Sequence, residues 1–210
     1  MPQSHACPHP QITYHSLHDF PSRAIKAEAR QFCLDRIREA YQIEYNPSIH
    51  CDLDSLMQEG TLSWYAHEAA GGFFIALDEF CNIVGTSAFY NMIWKEKSLS
   101  RLSSRYSTDH SVVQIARVYI RRDFRKKGIG RRLVRITEQY IADHLPYNVI
   151  YLHADTCSQA ALRFWNNCGY ECFNQMTDQS EYGIFHISEF DKVLKGHDQD
   201  RTEQDFEVHL

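Results

Sequence analysis

No run of apolar residues in the chain approaches the roughly 18 to 20 that a membrane-spanning helix needs. The opening MPQSHACPHP also lacks the apolar stretch of a secretory signal. A soluble cytoplasmic protein is the expectation. C-x-x-C is absent as well: the seven cysteines (Cys7, Cys33, Cys51, Cys81, Cys157, Cys168 and Cys172) are odd in number and scattered. That argues against a disulfide framework and against a zinc knuckle, and most of them are expected to be reduced, small core residues. Twelve histidines form no H-E-x-x-H pair, so no metal is expected. Internal repeats and recognised nucleic-acid motifs are also missing.

What is present suits one folded unit. A length of 210 residues with 43% hydrophobic content is ample for a buried core. Residues 1–10 and 195–210 are polar, charged or Pro-bearing without periodicity and read as tails, leaving 11–194 as the domain. Within it, QITYHSL alternates as a first strand, and Ser22 to Tyr41 places Ile25, Ala29, Phe32, Cys33, Ile37 and Ala40 at helical spacing. The acidic CDLDSL reads as a short helix or loop capped by Asp52 or Asp54. Phe73 to Leu77 and Ile83 to Tyr90 form a hairpin, and the Ser-rich stretch from Met92 to Ser111 is a long loop.

Further on, VVQIARVYI (Val112 to Ile120) is a central, mostly buried strand. A helix follows from Gly128 to about Leu145, then the strand NVIYLHA, the short helix SQAALRFWNNC, and the closing strands ECFNQ and YGIFHIS. This order is that of a mixed α/β sheet flanked by helices.

One segment stands apart. RRDFRKKGIGRRLVR, Arg121 to Arg135, carries eight of the 22 Lys and Arg residues of a chain whose formal net charge is −5. A strand leads into two glycines and at once into a helix start, so unpaired N–H groups face outward beside Arg125, Lys126, Lys127, Arg131 and Arg132. Such a place attracts anions, and a polyphosphate more than a lone carboxylate. A Walker P-loop would need G-x-x-x-x-G-K-[ST], which does not occur. The dinucleotide fingerprint needs a small third residue, where Leu133 stands, and a turn that follows the strand directly.

RVYIRRDFRKKGIGRRLV resembles the acetyl-CoA-binding motif of the GNAT superfamily of N-acetyltransferases, a hydrophobic strand, then [RQ]-x-x-G-x-[GA], then a helix. SQAALRFWNNCGY is similar to the family's second landmark, N-x-x-A-x-x-[FL]-Y-x-x-x-G-F. The resemblance spans about Gln11 to Leu194 and implies a splayed central sheet with a coenzyme-binding core at about 112–170. It implies that the backbone of Val118, Tyr119 and Ile120 runs beside the pantetheine arm of acetyl-CoA. Arg125, Lys126, Lys127, Gly128, Ile129 and Gly130 would cradle the pyrophosphate, with Arg131 as a further candidate. The gap for the coenzyme would open between Val112 to Ile120 and Asn148 to His153.

The reaction so implied is N-acetylation of a primary amine by direct attack. At pH 7 a lysine-like amine is neutral to about 1 part in 2,500, a cost of roughly 4.6 kcal/mol, so a base or a desolvating pocket matters. The family's usual glutamate falls eleven residues before Arg125, where this chain has Gln114, able to orient a water but not to act as a base. Trp165 stands at the tyrosine that often protonates the thiolate and Ser158 at the usual asparagine, and the resemblance makes both candidate coenzyme-binding residues. His153 is the candidate base, with Glu44, Asp52 and Asp54 on the acceptor side. Tyr119 and Tyr182 are candidate donors to a thiolate. A covalent route through Cys157 with His153 as its base is disfavoured by the turn between them.

Two rivals remain open at this point, an acetyl-CoA-binding protein without catalysis and, less favoured for an acidic chain, nucleic-acid binding by the basic patch. The expected partners are acetyl-CoA and an amine-bearing acceptor. A homodimer is compatible with the sequence.

Overall fold

The apolar runs GFFIAL and IVGTSAFYN form β2 (Gly72–Leu77) and β3 (Ile83–Asn91), and every residue of both is buried. The structure, a computed structural model, describes residues 11–20, 22–95, 98, 100, 102, 103, 105, 106, 112–180 and 183–194. Apolar side chains cover both faces of this hairpin, which is why its strands lack the alternation of a half-exposed sheet.

Seven strands make one sheet in the order β1-β2-β3-β4-β5-β7-β6. β1 is Thr13–Ser16, β4 Val112–Ile120, β5 Val149–Asp155, β6 Glu171–Ser180 and β7 Gly183–Val193. All pairs are antiparallel except β4 with β5, which are joined by a helical crossover as parallel neighbours must be.

α1 (Arg23–Tyr41) begins where the Ser22 hydroxyl accepts from Ala24 N–H and stops at Gln42, which takes φ 55° and returns its N–H to the Arg38 carbonyl. Its buried face of Ala29, Cys33, Leu34 and Ile37 packs with Ile75, Leu77 and Ala88. α2 (Cys51–Ser55) lies on the same side. α3 (Ile129–His144) and α4 (Gln159–Asn167) cover the opposite face, where Leu133, Val134, Ile141 and Trp165 meet Phe74, Phe89, Ile115 and Leu152. α3 ends at Leu145 because Pro146 disfavours a helical residue before it.

Two expectations need correcting. Of the described cysteines only Cys33 is buried; Cys51 and Cys168 are partly covered, and Cys81, Cys157 and Cys172 are exposed at turns or on the outer strand. Burial pushes the Cys33 thiol up to about 12, so it is an unreactive packing residue. Asp52 and Asp54 do not cap α2, whose start at His50 has no side-chain cap; both carboxylates are drawn instead to arginines. Cys7, Tyr182 and much of the Met92 to Ser111 stretch lie outside the described residues. Among the described residues, no helix is long and apolar enough to cross a membrane, and no group of three or more His, Cys, Asp or Glu is placed to hold a metal.

Candidate functional site

β4 and β5 pair over only three positions, Val112 with Val149, Val113 with Ile150 and Gln114 with Tyr151. Beyond Gln114 the ladder is lost although both strands continue, and β4 changes from buried at its first four residues to half-buried at its last five. The sheet is therefore open between the two strands, at the place the sequence resemblance implied.

The other edge of β4 carries a bulge. Thr86 pairs with Tyr119 and Ala88 with Ala116, so Arg117 and Val118 together stand opposite Ser87. Arg117 takes a left-handed φ of 54°, costly for a residue with a Cβ, and its carbonyl is held by the Thr86 hydroxyl at 2.7 Å. The extra residue resets the alternation: Val118 and Ile120 pack with the α3 side, Tyr119 with the α1 side.

At the end of β4 the chain turns through Arg122–Phe124 into α3. Phe124 is buried, with the Arg121 guanidinium 4.4 Å and the Lys127 ammonium 4.8 Å from its ring centre. Lys126 takes φ 62° and Gly128 φ 80°, and a Cβ at Gly128 would meet no atom within 4 Å. Backbone conformation, then, not crowding, is what favours glycine there. Gly130 is a close approach instead: a Cβ would stand 3.3 Å from Phe164 and 3.4 Å from Ile120.

Among the described residues, the N–H groups of Lys126, Lys127, Gly128, Ile129, Gly130 and Arg131 have no acceptor; the first helical bond is from Arg132 N–H to the Gly128 carbonyl. Six successive orphan donors at the positive end of a 16-residue helix are an arrangement suited to an anion. Of the neighbouring cations, Arg121 is committed to Asp123 and Asp78, and Arg125 donates to the Ile120 carbonyl at 3.0 Å. Lys126, Lys127, Arg131 and Arg132 are exposed and have no ion-pair partner among the described residues.

On the α1 side of the opening, Gln114 is buried and its Nε2 lies 3.4 Å from Nδ1 of the exposed His153. Tyr151 is fully buried, and its hydroxyl donates to Glu189 at 2.7 Å. Deeper on this face, Asp52 accepts from Arg117 Nε at 2.7 Å and Nη2 at 2.6 Å, and from the Tyr65 hydroxyl. Burial alone would raise the Asp52 carboxyl, but the Arg117 guanidinium and the Tyr65 hydroxyl outweigh it and hold the group below its ordinary range. Asp52 is thus a locked anion beneath the bulge. Asp54 is bound by Arg30 and Tyr45, and Glu44 is exposed beside Arg38.

The remaining residues suggested by sequence occupy structural positions. Ser158 caps α4, accepting from Ala161 N–H at 3.3 Å. Trp165 is 7% exposed and stacks edge-on with Phe164 and Tyr170. Tyr119 is half-buried, and burial raises its phenol to about 12. Cys157 lies in the exposed turn after β5. Sequence reasoning passed over Arg117, Tyr65 and Glu189. The signal for Arg117 was present: a guanidinium inside the apolar VVQIARVYI needs a buried partner.

Comparison with known proteins agrees with this geometry. The family described as "Acetyltransferase (GNAT) family" matches residues 34–170. No curated protein matches the chain. Among solved structures, an acetyltransferase of the GNAT family from Staphylococcus aureus aligns with TM-score 0.64 and 17% identity over 88% of this chain and 100% of its own. NAA60 of Arabidopsis thaliana, in complex with a bisubstrate analogue, aligns with TM-score 0.64 and 16% identity over 89% and 100%. A chimera of the spermidine N-acetyltransferase SpeG of Vibrio cholerae aligns with TM-score 0.58 and 17% identity over 87% and 95%. At these identities the likeness is one of fold.

Proposed function

Because the chain belongs to the acetyltransferase (GNAT) family, we propose that it moves an acetyl group from acetyl-CoA to a primary amine by direct attack in a ternary complex. The observation that carries the reading is the pairing of a sheet opened after three rungs with six orphan N–H groups at the start of α3. A solved neighbour, NAA60 of Arabidopsis thaliana, is in complex with acetyl-CoA. The unit that does this work is residues 11–194.

The opened edge of Val118 to Ile120 offers strand-like hydrogen bonds to the pantetheine amides. The N–H groups of Lys126 to Arg131 receive the pyrophosphate, with the Lys126, Lys127, Arg131 and Arg132 side chains closing over it. Acetyl-CoA supplies an acetyl group already activated as a thioester. His153 takes a proton from the acceptor's ammonium, freeing the nitrogen lone pair that then attacks the thioester carbonyl, and Gln114 holds the ring or a water beside it. A thiolate with a pKa near 8.5 leaves with little help, which fits the burial of Trp165 where the family often has a tyrosine.

The test is thiol release from acetyl-CoA over a panel of antibiotics, polyamines, amino acids and peptides, repeated with His153→Ala. The reading expects at least one amine to be turned over, and a loss of kcat of about 100-fold or more in the variant with acetyl-CoA affinity kept. A second reading, coenzyme binding without catalysis, draws on Gln114 and Trp165. Tight acetyl-CoA binding with no thiol release across the panel would establish it.

A further inference from the structure

Next to Gln114, on the α1 side of the sheet, stands a group of aromatic rings with a lysine among them. Tyr90 of β3 is the rung opposite Gln114, which is itself the last rung that β4 shares with β5. The Trp64 ring, from the connector after α2, meets Tyr90 edge-on with 5.3 Å between centres. It also stacks on Trp94, at 5.4 Å and 12° between the planes. Trp94 belongs to the single turn Met92–Lys95 that follows β3, and the next residue, Lys95, brings its ammonium 5.2 Å from the Trp64 ring centre. All three of Trp64, Trp94 and Lys95 are half-buried.

Two donors in this group lack an acceptor among the described residues. The Trp94 indole N–H is buried without a hydrogen-bond partner, and Lys95 makes no ion pair. Asp52 feels the Lys95 charge, but its oxygens are already taken by Arg117 and the Tyr65 hydroxyl. The surrounding charges cancel: Asp52 is balanced by Arg117 and Asp54 by Arg30. Burial keeps Tyr65 and Tyr90 protonated and lowers His50, whose ring is neutral at pH 7. Lys95 is left as one positive charge in surplus. A half-buried ammonium and an unpartnered indole N–H both call for an acceptor, and a carboxylate with two oxygens supplies one to each.

We propose that Lys95 and Trp94 form an acceptor subsite for a carboxylate, so that the amine acetylated by this protein carries a carboxylate at its far end. The inference rests on the reading of the protein as an acetyltransferase, and it names the acceptor class. Length follows from the register. One strand spacing of about 4.8 Å from Gln114 to Tyr90, and 5.3 Å more to Trp64, put the carboxylate roughly 10 Å from the opening. A free α-amino acid, with amine and carboxylate on one carbon, cannot span that distance. An extended tripeptide, at about 3.3–3.6 Å per residue, can. A polyamine would set a second ammonium beside Lys95, a like-charge contact that disfavours it.

Two of the three tryptophans of the chain stand here, so tryptophan emission reports occupancy without turnover. The experiment titrates triglycine and its C-terminal amide, which differ only in the terminal charge, into the full-length protein with acetyl-CoA absent. Triglycine is expected to bind at least about tenfold more tightly than the amide. Lys95→Gln, which keeps the reach and removes the charge, should bring the two within about twofold. Trp94→Phe keeps a ring and removes the N–H; it should weaken triglycine by several-fold and leave the amide unmoved. In thiol release with acetyl-CoA, Lys95→Gln should raise the KM of triglycine by about tenfold with kcat kept. 8-Aminooctanoate, of similar reach without peptide groups, should bind as triglycine does where the carboxylate alone is read.

Equal binding of triglycine and its amide by the wild-type protein, or no binding of triglycine by emission or calorimetry, overturns the proposal without recourse to any variant. A preference for triglycine that survives Lys95→Gln overturns it as well. Thiol release separates the two levels. Turnover of amines with no advantage for triglycine over its amide defeats the carboxylate subsite alone, whereas preferential triglycine binding with no thiol release from any amine of the panel defeats the acetyl transfer instead.

Discussion

The loop before α3 and the α1-side face of the sheet are neighbours at the same opening, yet they are built in opposite ways. The loop is a contiguous run from Lys126 to Arg131 whose active groups are backbone N–H donors, arranged by two left-handed residues and a helix start. The face gathers Asp52, Tyr65, Gln114, Arg117, Tyr151, His153 and Glu189 from α2, the connector after it, β4, β5 and β7, and its active groups are side chains. A site made of backbone tolerates changes of side chain but not of conformation. A site made of side chains depends on each partner being present.

The largest effect should come from attacking the loop's conformation and charge together. Gly128→Glu places a Cβ at φ 80° and an anion among the orphan donors, and is expected to weaken acetyl-CoA binding by more than 100-fold in calorimetry, with the circular dichroism of the fold kept. An unchanged Kd would remove the loop from the coenzyme site.

On the other side, Asp52→Ala leaves the buried Arg117 without its anion and should cost on the order of 3–5 kcal/mol in urea unfolding. Acetyl-CoA affinity should move far less. Because Asp52 titrates below its ordinary value in the fold, its contribution is complete above about pH 4 and is lost as pH falls through the depressed folded value. Unfolding midpoints of the wild-type protein should therefore fall over that acidic window more than those of Asp52→Ala.

Salt sharpens the contrast at smaller scale. Raising ionic strength from about 0.05 M to 0.5 M should weaken coenzyme binding by roughly tenfold, since the exposed Lys126, Lys127, Arg131 and Arg132 are screened. The Asp52–Arg117 pair is shielded by burial, so stability should change little over the same range. Binding indifferent to salt would mean that the backbone donors alone hold the anion.

The smallest effect is expected at Trp165. Its ring fills a space between Phe164 and Tyr170, so Trp165→Tyr should cost roughly 1–3 kcal/mol of stability through the space it leaves. No gain in thiol-release rate is expected. A clear gain would show that the indole had displaced a working phenol.

The elements around the loop before α3 could be read early. Val112 to Ile120 is rich in β-branched residues with few polar interruptions, and the structure keeps both of its ends. α3 follows from apolar positions at three and four and from the stop before Pro146, and it was misjudged by one residue at each end. The closing strands were underestimated: ECFNQ and YGIFHIS become β6 and β7 of ten and eleven residues. Polar residues such as Thr177 and Asp178 belong to a strand there because β7 supplies their ladder, which local propensity does not report.

The α1-side face was less legible. Asp52 was read as a cap because an acidic residue at the start of a short helix usually is one, and its real partner is 65 positions away. Glu189 gave no signal at all; its neighbours Tyr151, His153 and Asn174 are assigned only by strand register.

By itself, then, the sequence determined the parts whose physics is local: a buried strand, a left-handed glycine, a helix start rich in cations, and through them the anion that would be held. Only the tertiary structure decided where β4 and β5 part, which side chains face one another across that opening, and that a bulge at Arg117 is locked from below by Asp52. Backbone hydrogen bonding is settled within a few residues of chain. The pairing of buried charges is settled by desolvation, which exists only once distant segments have closed over them.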